Sequence, residues 1–139
     1  MRADPAKLRD FAVRYTAAWC SKNPSSVAAF YAPDGSLSIN GGTPSVGREA
    51  VTQAAQEFMS TFPDLQVLMD NLIVQEDCAL YHWTLIGTNT GPGGTGHKVR
   101  ITGFETWKFN PHGLIIESRG TFDQEEYLRQ LEHGTGTPD

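Results

Sequence analysis

The hydrophobic residues of this chain change period at Pro63-Asp64, and that change constrains the fold more than any other feature. Before it, apolar residues recur at helical spacing. "DPAKLRDFAVRYTAAWC" opens with Asp4 at an N-cap position and Pro5 at the first helical position, where its missing N–H costs nothing. Leu8, Phe11, Ala12, Tyr15, Ala18 and Trp19 then form one apolar face. "NPSSVAAFY" repeats the start signal with Asn23 and Pro24 and predicts a short second helix. "APDGS" reads as a turn, "SLSIN" as a short strand and "GGTPS" as another turn. A third helix is expected from about Gly47 to Thr61, with Val51, Ala54, Ala55, Phe58 and Phe62 as its stripe.

After Pro63 the alternation is that of strands. "LQVLMDNLIV", "CALYHWTLIGT", "KVRITGFETWKFN" and "GLIIESRGTF" are rich in β-branched and aromatic residues. "QED" and "NPHG" between them read as hairpin turns. "DQEEYLRQLEHG" predicts a short closing helix with Gly134 just past its end. Helices followed by antiparallel strands indicate an α+β fold with helices on one face of a curved sheet. With 139 residues and no repeat or linker, one domain over residues 1–134 is expected, followed by a flexible tail at 135–139.

Composition narrows the function classes. Apolar residues make up 39% and charged residues 19%, the balance of a globular chain rather than a disordered one. A net charge of −5 argues against a nucleic-acid partner, whose footprint is a basic face. No apolar run approaches the roughly 20 residues of a membrane span, and "MRADPAKLRDF" lacks the pattern of a secretory leader. The two cysteines, Cys20 and Cys78, fall in a helix-like and a strand-like segment. They are expected to be reduced, mostly buried thiols of a cytoplasmic protein.

"GPGGTGHK" at 91–98 matches the spacing of a dinucleotide-binding loop in its glycines. Such a loop needs a helix after it, whose N-terminus faces the pyrophosphate. Here the strand-like "KVRITGFETWKF" follows, so the segment is expected to be a long hairpin loop, a candidate flap, that holds no phosphate.

Three stretches carry a family resemblance: "FYAPDGSLSINGG" with "VGREAV", "GTNTGPGGTGHKV", and "FNPHGLIIESRGTFDQEEYLRQL". Their order and spacing resemble the SnoaL-like polyketide cyclases of the nuclear transport factor 2-like superfamily, which also holds ketosteroid isomerase-like proteins. The resemblance implies a strongly curved mixed or antiparallel sheet, closed into a cone by three N-terminal helices with a short C-terminal helix. It implies a deep, largely apolar pocket at the wide end and a homodimer formed through the outer sheet face. It implies binding of a small, largely apolar carbonyl compound with cofactor-free acid/base chemistry of the aldol or isomerase type. The alternative is a non-catalytic ligand-binding or dimerisation protein of the same fold.

The candidate residues follow from both sources. Asp123 resembles the general acid/base of SnoaL-like cyclases, where one carboxyl group removes and returns a proton; it is also the N-cap of a capping box with Glu126. Glu105 shares a strand face with Gly103 and Trp107. If that face is concave, it lies where ketosteroid isomerases resemble one another in an oxyanion-holding acid; otherwise it is a carboxylate on the solvent or dimer face. Tyr15 matches the partner tyrosine of that family and is otherwise a core aromatic. The isomerase base would fall near Ile39 or Asn40, and neither is an acid. His82 is a candidate pocket base or donor, or merely a hydrogen-bonded strand residue. Thr84 and Ile86 stand where epoxide hydrolases resemble one another in an arginine and an acid. Trp19, Phe58 and Trp107 are candidate pocket walls. Arg119 is a candidate for holding Asp123 or an anionic ligand group, or for pairing with Glu117 on the sheet. No His/Cys/Asp/Glu spacing reads as a metal site, and neither metal nor cofactor is expected.

Overall fold

A computed structural model describes residues 4–76 and 78–135. It is an α+β fold in which α1 (Pro5–Cys20), α2 (Pro24–Ala28), β1 (Tyr31–Ile39), β2 (Ser45–Val46) and α3 (Arg48–Thr61) precede four long strands. These are β3 (Gln66–Val74), β4 (Ala79–Thr88), β5 (Lys98–Phe109) and β6 (Ile115–Phe122), and α4 (Gln124–His133) closes the order. Asp4 caps α1 by accepting the Ala6 N–H at 2.9 Å, and the helix buries the six residues of the expected stripe. Asn23 caps α2 by accepting from the Ser25 N–H at 3.2 Å. α3 buries Val51, Ala55 and Met59, while Ala54 and Phe58 are partly buried.

The strands form one six-stranded sheet in the order β2-β1-β6-β5-β4-β3. The sheet is unclosed, with β2 and β3 at its edges. It is also mixed, because β1 pairs parallel with β6 while the other pairs are antiparallel. Register shifts in β1, in β3 between Met69 and Asn71, and between Lys108 and Phe109 mark bulges, which bend a sheet. The helices before β3 are not consecutive, since β1 and β2 stand between α2 and α3.

Two local readings change. "APDGS" is no free turn: it belongs to β1, whose register slips between Tyr31 and Ser36. Gly35 permits this, because a Cβ there would stand 2.5 Å from the Ile115 carbonyl oxygen. Both cysteines are free, but Cys20 is exposed and Cys78 half-buried, since one ends α1 and the other adjoins the β3–β4 turn. In that turn Gln75 N–H bonds the Cys78 carbonyl at 2.8 Å, and Asp77 of the expected "QED" lies outside the described residues. So do residues 136–139 of the expected tail. Among the described residues no helix is long and apolar enough to cross a membrane.

The glycine segment runs from the end of β4 into β5, a strand, so no helix N-terminus follows its glycines. It is tied down rather than loose. Gly91 N–H bonds the Thr61 carbonyl at 3.2 Å, Gly96 N–H bonds that of Asn89 at 2.8 Å, and the Thr95 hydroxyl bonds that of Leu131. A Cβ on Gly91 would fall 1.9 Å from the Ser60 carbonyl oxygen, so glycine is required for this close approach.

Candidate functional site

Strand alternation builds the site. On β5 the residues Val99, Ile101, Glu105 and Trp107 are buried, with Gly103 between them on the same face. Glu105 pairs with Gly120 of β6 and Trp107 with Ser118, so this face continues across the sheet. Tyr81, Trp83 and Leu85 of β4 extend it the other way. α1 covers it: Tyr15 meets Trp107 edge-to-face at 5.0 Å, and Tyr81 stacks on Trp107 at 4.6 Å.

One carboxyl group lies inside this apolar layer. Glu105 is buried, and three side chains donate to its Oε1: Ser118 Oγ at 2.6 Å, Tyr15 Oη at 2.9 Å and Trp107 Nε1 at 3.1 Å. The Trp107 indole can only donate, so Oε1 is an acceptor. Tyr15 has one hydroxyl hydrogen and gives it to Glu105. Tyr31, 3.0 Å from Tyr15 Oη, is then the donor in that contact. The result is a relay from Tyr31 through Tyr15 to Glu105 that fixes one carboxylate oxygen. Burial raises the pKa of Glu105 from its ordinary value; the bonds from Ser118, Trp107 and Tyr15 oppose this without cancelling it. Burial, reinforced by the Glu105 charge, also raises Tyr15 and Tyr31, which keeps both as donors.

In front of Glu105 is a cavity of about 60 Å³. Its walls are Trp19, Phe58, Val67, Trp83, Leu85 and Ile101, with Leu37, Ile39, Gly120 and Phe122, and Tyr127 of α4. It is room for about two water molecules at the ~30 Å³ each occupies in the liquid. Drug-sized ligands need about 300–1,000 Å³, so a flat polycyclic molecule requires the walls to move.

The sequence candidates divide. Glu105, Trp19 and Phe58 line the cavity; Tyr15 and Trp107 lie behind Glu105 and hold it. Asp123 is elsewhere: it is exposed at the N-cap of α4 and accepts the Glu126 N–H at 3.1 Å. Its capping box is half-formed, because the Glu126 carboxylate turns to Arg129 at 2.7 Å and Gln130 at 2.6 Å. His82 alternates with Tyr81 and Trp83, so it takes the outer face, half-buried beside Phe104 with ring centroids 5.6 Å apart. Arg119 alternates with Ser118 and Gly120 and is exposed on that outer face, 3.3 Å from Glu117, which Lys108 also approaches. Ile39, at the position of the isomerase base, is an apolar wall. Among the described residues no three His, Cys, Asp or Glu side chains gather as a metal site would require.

Sequence reasoning missed Ser118 and Tyr31. The alternation Ser118-Gly120-Phe122 was a usable signal for the first, since it runs beside Glu105. Tyr31 was hidden at the end of "NPSSVAAFY", read as the short second helix, whereas it starts β1.

The family model described as SnoaL-like polyketide cyclase matches residues 9–131. Among solved structures, the chain is similar to a protein assigned to the SnoaL-like polyketide cyclases from Jannaschia sp. CCS1. Their TM-score is 0.82 at 18% identity, covering 99% of this chain and 99% of that one. It is similar to a hypothetical protein of ketosteroid isomerase-like fold from Catenulispora acidiphila, in complex with trimethylamine, with TM-score 0.79, 16% identity, and 93% and 98% of the two chains covered. It is also similar to SalBIII, an epoxide hydrolase/cyclase-like enzyme with a role in pyran ring formation in the polyether salinomycin, with TM-score 0.77, 13% identity, and 88% and 95% covered. At these identities the likeness is one of fold. No curated protein matches the chain.

Proposed function

Because this chain belongs to the SnoaL-like polyketide cyclase family, we propose that it binds a small, largely apolar carbonyl compound against Glu105. The observation that carries this is the division of labour in one carboxyl group. Three donors occupy Oε1 and burial favours the neutral acid, so the proton belongs on Oε2 of a residue that lines the cavity. A neutral carboxylic acid in apolar surroundings donates a hydrogen bond to a carbonyl oxygen and strengthens that bond as negative charge develops there. Glu105 is then the group that lends a proton and takes it back in a cofactor-free aldol or isomerase-type step.

One observation favours binding without turnover as the second reading. Asp123 is engaged as a helix cap and His82 faces away, so Glu105 is the acid in the cavity wall and has neither of these as a partner base. In either reading the protein is proposed to act as a homodimer through the outer sheet face, and to work in the cytoplasm.

The test compares cyclohexanone with cyclohexene, a ketone and a hydrocarbon of like size, by NMR titration. The wild type is expected to prefer the ketone by about 3- to 10-fold, the worth of one neutral hydrogen bond. Glu105→Leu is expected to lose that preference and keep cyclohexene binding. The preference should also fade as pH rises through the raised Glu105 pKa, because a carboxylate cannot donate. A ketone preference unchanged in Glu105→Leu would sink the proposal.

A further inference from the structure

A glycine inside a strand weakens it, because it packs no side chain and has more conformational freedom to lose on folding. The fold itself accounts for most of the glycines among the described residues. Six have φ between +73° and +92°, where other residues are strained. At six more an added Cβ would stand only 1.9–3.1 Å from a neighbouring atom.

Neither reason applies to Gly120. Its φ lies outside the left-handed region, and an added Cβ would make ordinary van der Waals contacts: 3.5 Å to the Ser38 carbonyl oxygen, 3.9 Å to Glu105 Cγ and 3.9 Å to Ile39 Cγ1. Its backbone is that of an inner strand. β6 lies between β1 and β5, and Gly120 pairs with Ile39 on one side and Glu105 on the other. Such a position favours a β-branched side chain. The place that a side chain would take is the inner face, between Glu105 and Ile39, and all three residues line the cavity. With a volume of about 60 Å³, the cavity is small enough for one methyl group to matter. A strand glycine with no demand from its own backbone or neighbours marks a close approach by something else.

We propose that Gly120 is the specificity-determining residue of this cavity. The room left by its missing side chain takes the carbon of the carbonyl ligand that lies next to the oxygen held by Glu105. This rests on the reading that Glu105 receives a carbonyl oxygen, and adds the residue that sets how bulky the ligand can be beside that oxygen.

The test adds one methyl group. Gly120→Ala is compared with the wild type by urea unfolding and by NMR titration with cyclohexanone and cyclohexene. The urea midpoint is expected to equal or exceed that of the wild type. Both compounds are expected to bind about tenfold more weakly, because a steric block acts on ketone and hydrocarbon alike. Their affinity ratio should therefore stay as in the wild type, whereas Glu105→Leu changes the ratio. A Gly120→Ala protein that binds both compounds as the wild type does overturns the proposal. So does one with a lower midpoint, or one that does not fold, since the fold would then need the glycine. A weakening confined to cyclohexanone also overturns it, because the change would then act through the Glu105 hydrogen bond. If the wild type binds cyclohexene as tightly as cyclohexanone and Gly120→Ala weakens both, the reading at Glu105 fails while Gly120 still sets the room. If neither compound binds the wild type, both readings fail.

Discussion

Glu105 was legible as a residue but not as a state. The alternation Gly103-Glu105-Trp107 put it on a face with a tryptophan, and left open whether that face is the concave one. Its protonation depends on groups from α1 and β6 that meet only in the fold, and no local pattern records them. The consequence is a pH dependence of stability with a definite sign. Its pKa is raised above the ordinary value of 4.5, so between 4.5 and the raised value the native state holds a proton that the unfolded chain has released. Stability from this group is full below 4.5 and is lost as pH rises through the native value. Glu105→Gln keeps an acceptor for Ser118, Tyr15 and Trp107 but does not titrate. Its urea midpoint is expected to gain on the wild type from pH 4.5 upward. A constant difference between pH 4 and pH 8 would show that Glu105 is ionised as readily in the fold as outside it.

At the scale of elements, the C-terminal helix shows how a true local signal misleads about function. "DQEE" announced a cap, and Asp123 is one; the family resemblance announced an acid at the same residue. The cap uses its oxygen for the Glu126 N–H and faces solvent. α4 is positioned instead by Gln130, which is buried. Its Oε1 accepts the Arg100 N–H at 2.6 Å and its Nε2 donates to the Arg100 carbonyl at 3.2 Å. β6 pairs with β5 only as far as Gly103, so Gln130 stands in for the missing strand at Arg100. β1 was misread for a related reason: Pro33, Asp34 and Gly35 have turn chemistry, and they make the irregular stretch of one strand between Tyr31 and Ser36, which pair with β6. Asp123→Ala is accordingly expected to cost about 0.5–2 kcal/mol of stability in thermal or urea unfolding. Ketone affinity should stay as in the wild type. A folded Asp123→Ala protein that no longer binds the ketone would place Asp123 back at the site.

For the whole molecule, the change of period gave the α+β class and the three motifs gave the family, while the cavity volume stayed hidden. That volume depends on how Trp83 settles over Gly103 and how Tyr127 meets Phe122, contacts between residues far apart in the chain. The outer face was equally unreadable, since His82 and Arg119 looked like site residues until alternation placed them outside. That face carries Leu68, Ile73 and Ile116, which are 43%, 39% and 40% exposed, around the half-buried pair His82 and Phe104. Lys108, Arg119 and Glu117 beside them supply both signs of charge, which a second copy related by a two-fold axis can pair with its own. Covering one such apolar side chain contributes about 1.5–3 kcal/mol at most, so a charge at the centre of the face outweighs several of them. Phe104→Glu is therefore expected to sediment as a monomer where the wild type sediments as a dimer. The thermal midpoint should depend on concentration in the wild type and not in the variant. Glu105 and Trp83 lie on the opposite face, so the monomeric variant should still bind the ketone. A wild type that sediments as a monomer at every concentration leaves this face to solvent and removes the dimer from the account, with the cavity argument untouched.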